Sequence, residues 1–423
     1  MRQNRNQYSL FERNCANFFS RFPQLKRFLK LGYQRLNYWC YRETQIVISN
    51  YSIHTICDGD RETFFGYYDK SPINQSNTHI IFQSTIRETS KLPSPKYPVQ
   101  VILYELSTHK IIARFDSCTY NWQQGTKLQW IDNFNFIYNS IDEDSHYCSY
   151  IVNIETLHAR KIMAPIYELD GWRNAYSLNF DRLAVMRPDY GYFNHLPYKL
   201  PESLYDDGIF RVDLKTGDIK LLLSIERILS CCPLLGSPAN STIIHKVNHI
   251  MSSPSGEMFM FLHRYFIGGV KFDRLIVCDK NAARLKLLAA DGMVSHCCWE
   301  DDKNIIAYLR QHQIGDKYYR INVVTGKIHV IGDNIISVFG DGHPSVFGDN
   351  MIFDTYPDKA RMQTLFSYNL RNKHLTMLGR FFTPLKFHDQ TRCDLHPKWS
   401  CDGKKIFFDS VYLGKRILCY INV

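Results

Sequence analysis

The sequence lacks the spacings that mark several familiar chemistries. No CxxC pair occurs among its 13 cysteines, so a zinc ribbon or a thioredoxin-like centre is unsupported. It also has no phosphate-binding glycine loop, no GxSxG elbow and no HExxH pair, which argues against nucleotide hydrolases, serine hydrolases and zincins. No run reaches the roughly 20 apolar residues that span a bilayer. The opening MRQNRNQYSLFERNCANFF has neither the apolar centre nor the cleavage site of a secretory signal. An odd number of cysteines without a regular framework reads as reduced, mostly buried thiols. The expectation is a cytoplasmic protein.

Excess charge is nearly absent beyond the first 43 residues. Nine Lys or Arg there, against Glu12 and Glu43, supply +7 of the net +10 and leave +3 for the rest. A uniformly basic chain would invite nucleic acid; an excess confined to one arm does not, and no nucleic-acid partner is expected. Residues 8–41 carry Phe18, Phe22, Leu25, Phe28, Leu29, Leu36 and Trp39 at roughly helical spacing, with Arg21, Lys26, Lys30 and Arg35 between them. Pro23 suits the start of a second helix. Residues 1–44 therefore read as a basic amphipathic helical arm. It either lies on an anionic membrane surface, making the protein peripheral on the inner face, or packs on the main domain.

From Gln45 the texture changes to β-branched and aromatic residues. SPINQSNTHIIFQ, IDNFNFIYNS, SLNFDRLAVMR, SSPSGEMFMFLHR, WEDDKNIIAYLR, SVFGDNMIFDTYPD and HPKWSCDGKKIFFDS share one plan, a polar turn and then an apolar strand. Six of these are followed by a hairpin such as IFRVDLKTGDIKLLL or YRINVVTGKIHVIG, with Gly at the turn. Seven copies of about 50 residues, each with four short strands, indicate an all-β fold, a seven-bladed β-propeller over residues 45–423. The last copy, ending in LCYINV, is one strand short, and residues 45–56 are the segment available to complete it.

In such a ring the residues flanking each turn-strand unit crowd around one opening. They include Tyr67, Asp69, Lys70, Gln124, Arg173, Asn174, Arg187, His249, His263, Arg264, His296, Asp341, His343, Arg392, Asp394 and His396. His249, His296, His343 and His396 precede the turn in four successive copies. Imidazoles and carboxylates at adjacent strand ends can hold a divalent ion, and a neutral imidazole can act as a base; alternatively they satisfy turn backbone. Arg187, Arg264 and Arg392 can grip a carboxylate or phosphate, or pair with Asp189, Asp341 or Asp394. Gln124, His263, Arg264, Arg392 and His396 are the candidates for contacting an anionic sugar. Trp122, Trp130, Trp172, Trp299 and Tyr67 offer faces either to sugar rings or to neighbouring blades.

NWQQGTKLQW, VNHIMSSPSGEMFMFLHR, VSHCCWEDDKNIIAYL and DGHPSVFGDNMIFDTYPD together resemble the oligogalacturonate lyases, seven-bladed propellers acting on unsaturated galacturonate oligosaccharides. The resemblance covers roughly residues 60–410 and excludes the arm. It implies a divalent metal, usually Mn²⁺, on the uronate carboxylate while a histidine removes the C5 proton and an arginine assists. By position His249 corresponds to the base, Arg187 to the arginine, and His296 and His343 to metal ligands. The family's glutamine and two histidines are met here by Val338, Asp341 and His343, with Asp341 as the substituted oxygen ligand.

The expected function is a lyase-like, carbohydrate-active propeller. It would act on an acidic, uronate-containing oligosaccharide or lipid-linked glycan by metal-assisted β-elimination. The alternative is a non-lyase, glycan-binding or sugar-transferring component of surface-polysaccharide (capsule or O-antigen) assembly.

Overall fold

Apolar runs and alternating runs take turns along the chain, and each finds a different depth in the fold. Ile80-Ile81-Phe82, Phe259 to Leu262 and Ile305-Ile306-Ala307 are at most 1% exposed, because each lies in a sheet whose two faces are covered by neighbouring sheets. Lys110–Ser117, an outermost strand, alternates between exposed and partly buried residues, as period-2 geometry requires where only one face is covered. A computed structural model of the chain describes residues 23–200, 203–234 and 243–423, with residues 23–31 given by their backbone alone.

The described strands form a seven-bladed β-propeller. Blades 1 to 7 begin with the innermost strands Glu62–Phe64, Gln129–Trp130, Glu168–Asp170, Ile243–Ser252, Val294–Trp299, Ser345–Phe347 and Lys398–Trp399. Every pairing within a blade is antiparallel. The expected strand donor closes the ring and does more. His54–Ile56 pairs with Ile417–Asn422 as the missing outer strand of blade 7, and Val47–Ile48 pairs with Leu375–Phe382 to give blade 6 a fifth strand. One short segment thus seals two blades and covers edges that would otherwise be open.

Tryptophans tie neighbouring blades. The indole N–H groups of Trp130, Trp299 and Trp399 donate to the carbonyls of Pro72, Met251 and Ser345 in the preceding blade. Trp122 donates to the Lys91 carbonyl at 2.7 Å. These four are packing residues, and Trp172 is 72% exposed.

Blade 3 corrects one expectation. The run after Ser177 is a helix, Phe180–Met186, and not a strand. Asn179 caps it by accepting from the Arg182 N–H, and Phe180, Leu183 and Ala184 bury one helical face. The turn of this blade is Asp170 to Arg173. Arg173 and Asn174 therefore stand at the far end of the blade from the opening, and Arg173 lies 3.4 Å from Asp213.

The helix Pro23–Tyr41 precedes the ring and begins at the expected proline. Residues 1–22 of the expected arm lie outside the described residues. The twelve described cysteines are all free.

Candidate active site

The segments leading into the inner strands converge at one end of the central channel, and local backbone devices aim their side chains. His249 lies at a register shift between Asn248 and Met251, and His296 at one between Val294 and Cys297. Such bulges re-aim a side chain. His249 and His396 have φ of +53° and +47°, a conformation uncommon away from glycine and characteristic of constrained sites. Ahead of His343 stands Gly342, where a Cβ would overlap the Asp354 carbonyl oxygen.

The result is a row of imidazoles. Ring centroids are 6.3 Å apart for His249 and His296, 4.0 Å for His296 and His343, and 4.3 Å for His343 and His396. All four are buried. Tyr67 fills the middle, with its ring 5.0 Å from that of His396 and its hydroxyl 3.0 Å from His249 Nδ1. Tyr68 locks to blade 5 by donating to the Cys297 carbonyl and accepting from its N–H.

Three of the rings are held from behind through Nδ1. His296 Nδ1 lies 3.1 Å from Asp341, which also accepts from the Ser295 hydroxyl. His343 Nδ1 lies 2.9 Å from Asp354. His396 Nδ1 lies 3.1 Å from the Gly66 carbonyl. An acceptor on Nδ1 fixes the tautomer and presents Nε2. The Nε2 atoms of His343 and His396 are buried without a hydrogen-bond partner. Among the described residues, His343, Asp394 and His396 offer three ligand atoms within 4.8 Å of one another. Of the expected metal trio, His343 belongs to this group, His296 stands beside it, and Asp341 is occupied behind His296.

Burial sets the charge states. It pushes His249 well below the usual imidazole range, helped by Arg264 and His296, so that ring is neutral near pH 7. His396 is pushed down in the same way, with His343 and Lys398 adding to burial. At His343 burial pulls downward, but the Asp354 carboxylate outweighs it and holds the ring above its usual value.

The mouth carries the arginines. Arg187 Nε lies 2.9 Å and Arg392 Nη1 2.7 Å from opposite oxygens of Asp189, and Arg392 Nε lies 2.7 Å from Asp394. Asp189 and Tyr190 belong to the blade 3 insertion, and Tyr190 lies edge-on to His249 with centroids 5.5 Å apart. This insertion roofs the histidines. Beside them is a small recess lined by residues that include Tyr67, Asp69, Gln124 and Lys127. Gln124 donates to the Tyr167 hydroxyl at 3.2 Å.

Two sequence candidates are engaged within blade 4. Arg264 pairs with Asp273 at 2.9 Å within blade 4. His263 is bound between His245, at 3.1 Å, and Arg274, at 2.9 Å. Asp354 and Tyr190 were missed. A signal for Asp354 exists in the sequence, because the second strands of four blades end in Gln83-Ser84, Asn139-Ser140, Asp354-Thr355 and Asp409-Ser410. Gln83, Asn139 and Asp354 accept backbone N–H groups from the segment leading into the next blade, at Thr126, Ile166 and His396, and Asp409 accepts one from Phe65, just after the inner strand of blade 1.

A solved oligogalacturonate lyase in complex with manganese superposes with a TM-score of 0.61 over 90% of this chain and 95% of its own, at 14% identity. The chain has the fold of the oligogalacturonate lyases. A second, from Vibrio parahaemolyticus, gives a TM-score of 0.58 over 89% of this chain and 98% of its own, at 13% identity. No protein-family model matches the chain, and no curated protein matches it.

Proposed function

We propose that the protein is a lyase-like propeller that cleaves an acidic, uronate-containing oligosaccharide or lipid-linked glycan by β-elimination. The observation that carries this reading is the row of four buried histidines, one of them neutral beside a tyrosine hydroxyl and two presenting unpartnered Nε2 atoms beside Asp394. The fold shared with oligogalacturonate lyases supports it.

His343, Asp394 and His396 fit a divalent ion, since two orphan imidazole nitrogens and a carboxylate form a donor set suited to Mn²⁺ or Zn²⁺. Bound there, such an ion would neutralise the uronate carboxylate and so acidify the C5 proton. The chain's own groups do the rest. Neutral His249 takes the C5 proton, the electron pair forms the C4–C5 double bond, and the C4–O4 bond breaks. In the tautomer with the proton on Nδ1, His249 donates to Tyr67 and keeps Nε2 as the base. Tyr67 is then the hydroxyl nearest the base and the group placed to protonate the departing oxygen. Arg187 and Arg392, held apart by Asp189, are the cations available to an anionic substrate at the mouth. A cytoplasmic setting goes with this reading, because Cys57, Cys231 and Cys401 are exposed free thiols.

Elimination splits a linkage without adding water, so the fragment masses sum to that of the substrate; hydrolysis leaves them one water heavier. Mass spectrometry of uronate oligosaccharides incubated with the protein and Mn²⁺ should show fragments of the first kind, absent with His249→Ala. Intact substrates throughout, with glycan binding retained, would instead favour the binding or assembly role. The roof over the histidines and the small recess beside them are the features that favour that second reading.

A further inference from the structure

The helix Pro23–Tyr41 meets the propeller with one face and turns a different one outward. Tyr38 packs against Phe382 with centroids 5.5 Å apart, Tyr41 lies under the Lys359 ammonium, and Glu43 just beyond the helix pairs with Arg380 at 2.9 Å. Tyr33, Gln34, Asn37 and Tyr38 are partly buried, whereas Gly32, Arg35, Leu36, Trp39 and Cys40 are exposed. Leu36 is 60% and Trp39 74% exposed. At 100° per residue, positions 32, 36 and 39 form one stripe, and the sequence places Leu25 and Leu29 in the same register. This is the reverse of an ordinary surface helix, which buries its leucines against the domain.

We propose that this outward stripe docks the protein on an anionic lipid surface. Charge selects the occupant. Residues 1–43 carry +7, so a second copy of the helix would set like charge against like, while anionic headgroups attract each Lys or Arg. Arg35, beside the stripe, makes no ion pair among the described residues. An exposed Trp at the polar–apolar boundary suits a helix lying in the headgroup region. Among the described residues no helix is long and apolar enough to cross a membrane, so the contact is one of lying on the surface.

The attachment point gives the contact a direction. Phe382 ends the outer strand of blade 6 and Lys359 lies in that blade's loop after Asp354, both at the end of the ring where His343 and His396 stand. The arm therefore sits on the rim of the site's own face. Resting on the proposed function, this favours a lipid-linked acidic glycan as the substrate class; the docking surface itself does not depend on that reading.

The test is flotation of the full chain with vesicles of phosphatidylcholine alone, or of phosphatidylcholine with phosphatidylglycerol, at low and high salt. The wild type should float with the anionic vesicles only, and less at high salt. The variant Leu36→Glu/Trp39→Glu, with an unchanged unfolding midpoint, should float at least tenfold less. His249→Ala should float like the wild type whatever the enzyme assay shows, which separates the surface from the chemistry. No flotation of the wild type, equal flotation of the variant, or a wild-type dimer that the variant dissociates would each overturn the proposal.

Discussion

Asp354 binds His343 twice, accepting from its backbone N–H at 2.7 Å and lying 2.9 Å from its Nδ1, and its second oxygen accepts the backbone N–H of His396 at 3.1 Å. One buried carboxylate thus sets the spacing of two rings on different blades. Replacing it leaves three buried donors competing for less. Asp354→Asn keeps one acceptor oxygen and should cost about 2 kcal/mol, and Asp354→Ala somewhat more. Urea midpoints measure the cost. Hydrogen exchange at the His396 amide should rise in both variants, and an unchanged amide would show that the bridge does not hold blade 7.

The neutrality of His249 makes a kinetic expectation. Burial and the charges of Arg264 and His296 hold it well below the usual imidazole range, so the base form persists as the solution is acidified. His249 should add no acid limb in the ordinary histidine range; a limb there should come from His343, which Asp354 holds above its usual value, and should recede as Mn²⁺ is raised. A limb that Mn²⁺ does not move would contradict the placement of His249. His249→Ala should lower kcat by about 10²-fold or more. Tyr67→Phe removes only the hydroxyl 3.0 Å away and should lower kcat with little change in KM.

The ring itself was legible because its signal repeats. A turn and an apolar strand recur seven times, six of them followed by a hairpin, and burial on both faces explains why the second strands read as continuous apolar runs such as Ile305-Ile306-Ala307. The convergence of His249, His296, His343 and His396 followed from their equivalent places before the turns. Residues that act through packing were harder to read. LAVMR has a strand-like composition, and only the Asn179 cap with Phe180, Leu183 and Ala184 buried makes it helical. Arg264 stands at the end of its apolar strand near His249, as its position suggested, but Asp273 on the paired strand engages its guanidinium, a partner no repeat pointed to. Tyr190 belongs to an insertion with no counterpart in the other copies, so no repeat pointed to its place over His249.

Asp189 links the blade 3 insertion to blade 7 by accepting from Arg392 while it pairs with Arg187. The pair is partly exposed, so its loss should be modest globally, about 1 kcal/mol. Its local effect should be larger, because two arginines then face each other across the mouth. In Asp189→Ala, residues 187–191 should exchange amide hydrogens faster, and a uronate ligand should associate faster while the urea midpoint moves little. Unchanged exchange in that segment would mean the roof is held by Tyr190 and Asn121, which donates to the Tyr190 carbonyl at 3.0 Å, and not by the ion pair.

His245 and His263 form a second histidine pair, away from the site, whose tautomers follow from Arg274. A guanidinium only donates, so His263 Nδ1 accepts from Arg274 and its Nε2–H donates to His245 Nδ1 at 3.1 Å. Arg274 also donates to the Cys232 carbonyl at 2.6 Å, anchoring the end of the helix Ile225–Cys231. A proton on either ring would break this chain of bonds. Burial, then Arg274 and Arg182, push His245 down to about 4, and burial with Arg274 pushes His263 well below its usual value. Because the folded values lie below those of the unfolded chain, the stability these rings allow is complete above about pH 6.5. It is lost as pH falls from there through 4, by roughly 3 kcal/mol for His245 alone. Urea midpoints of the wild type and of His245→Gln/His263→Gln, measured across that range, should converge toward acid as the wild type loses its advantage. Parallel curves would show that the pair does not titrate with folding.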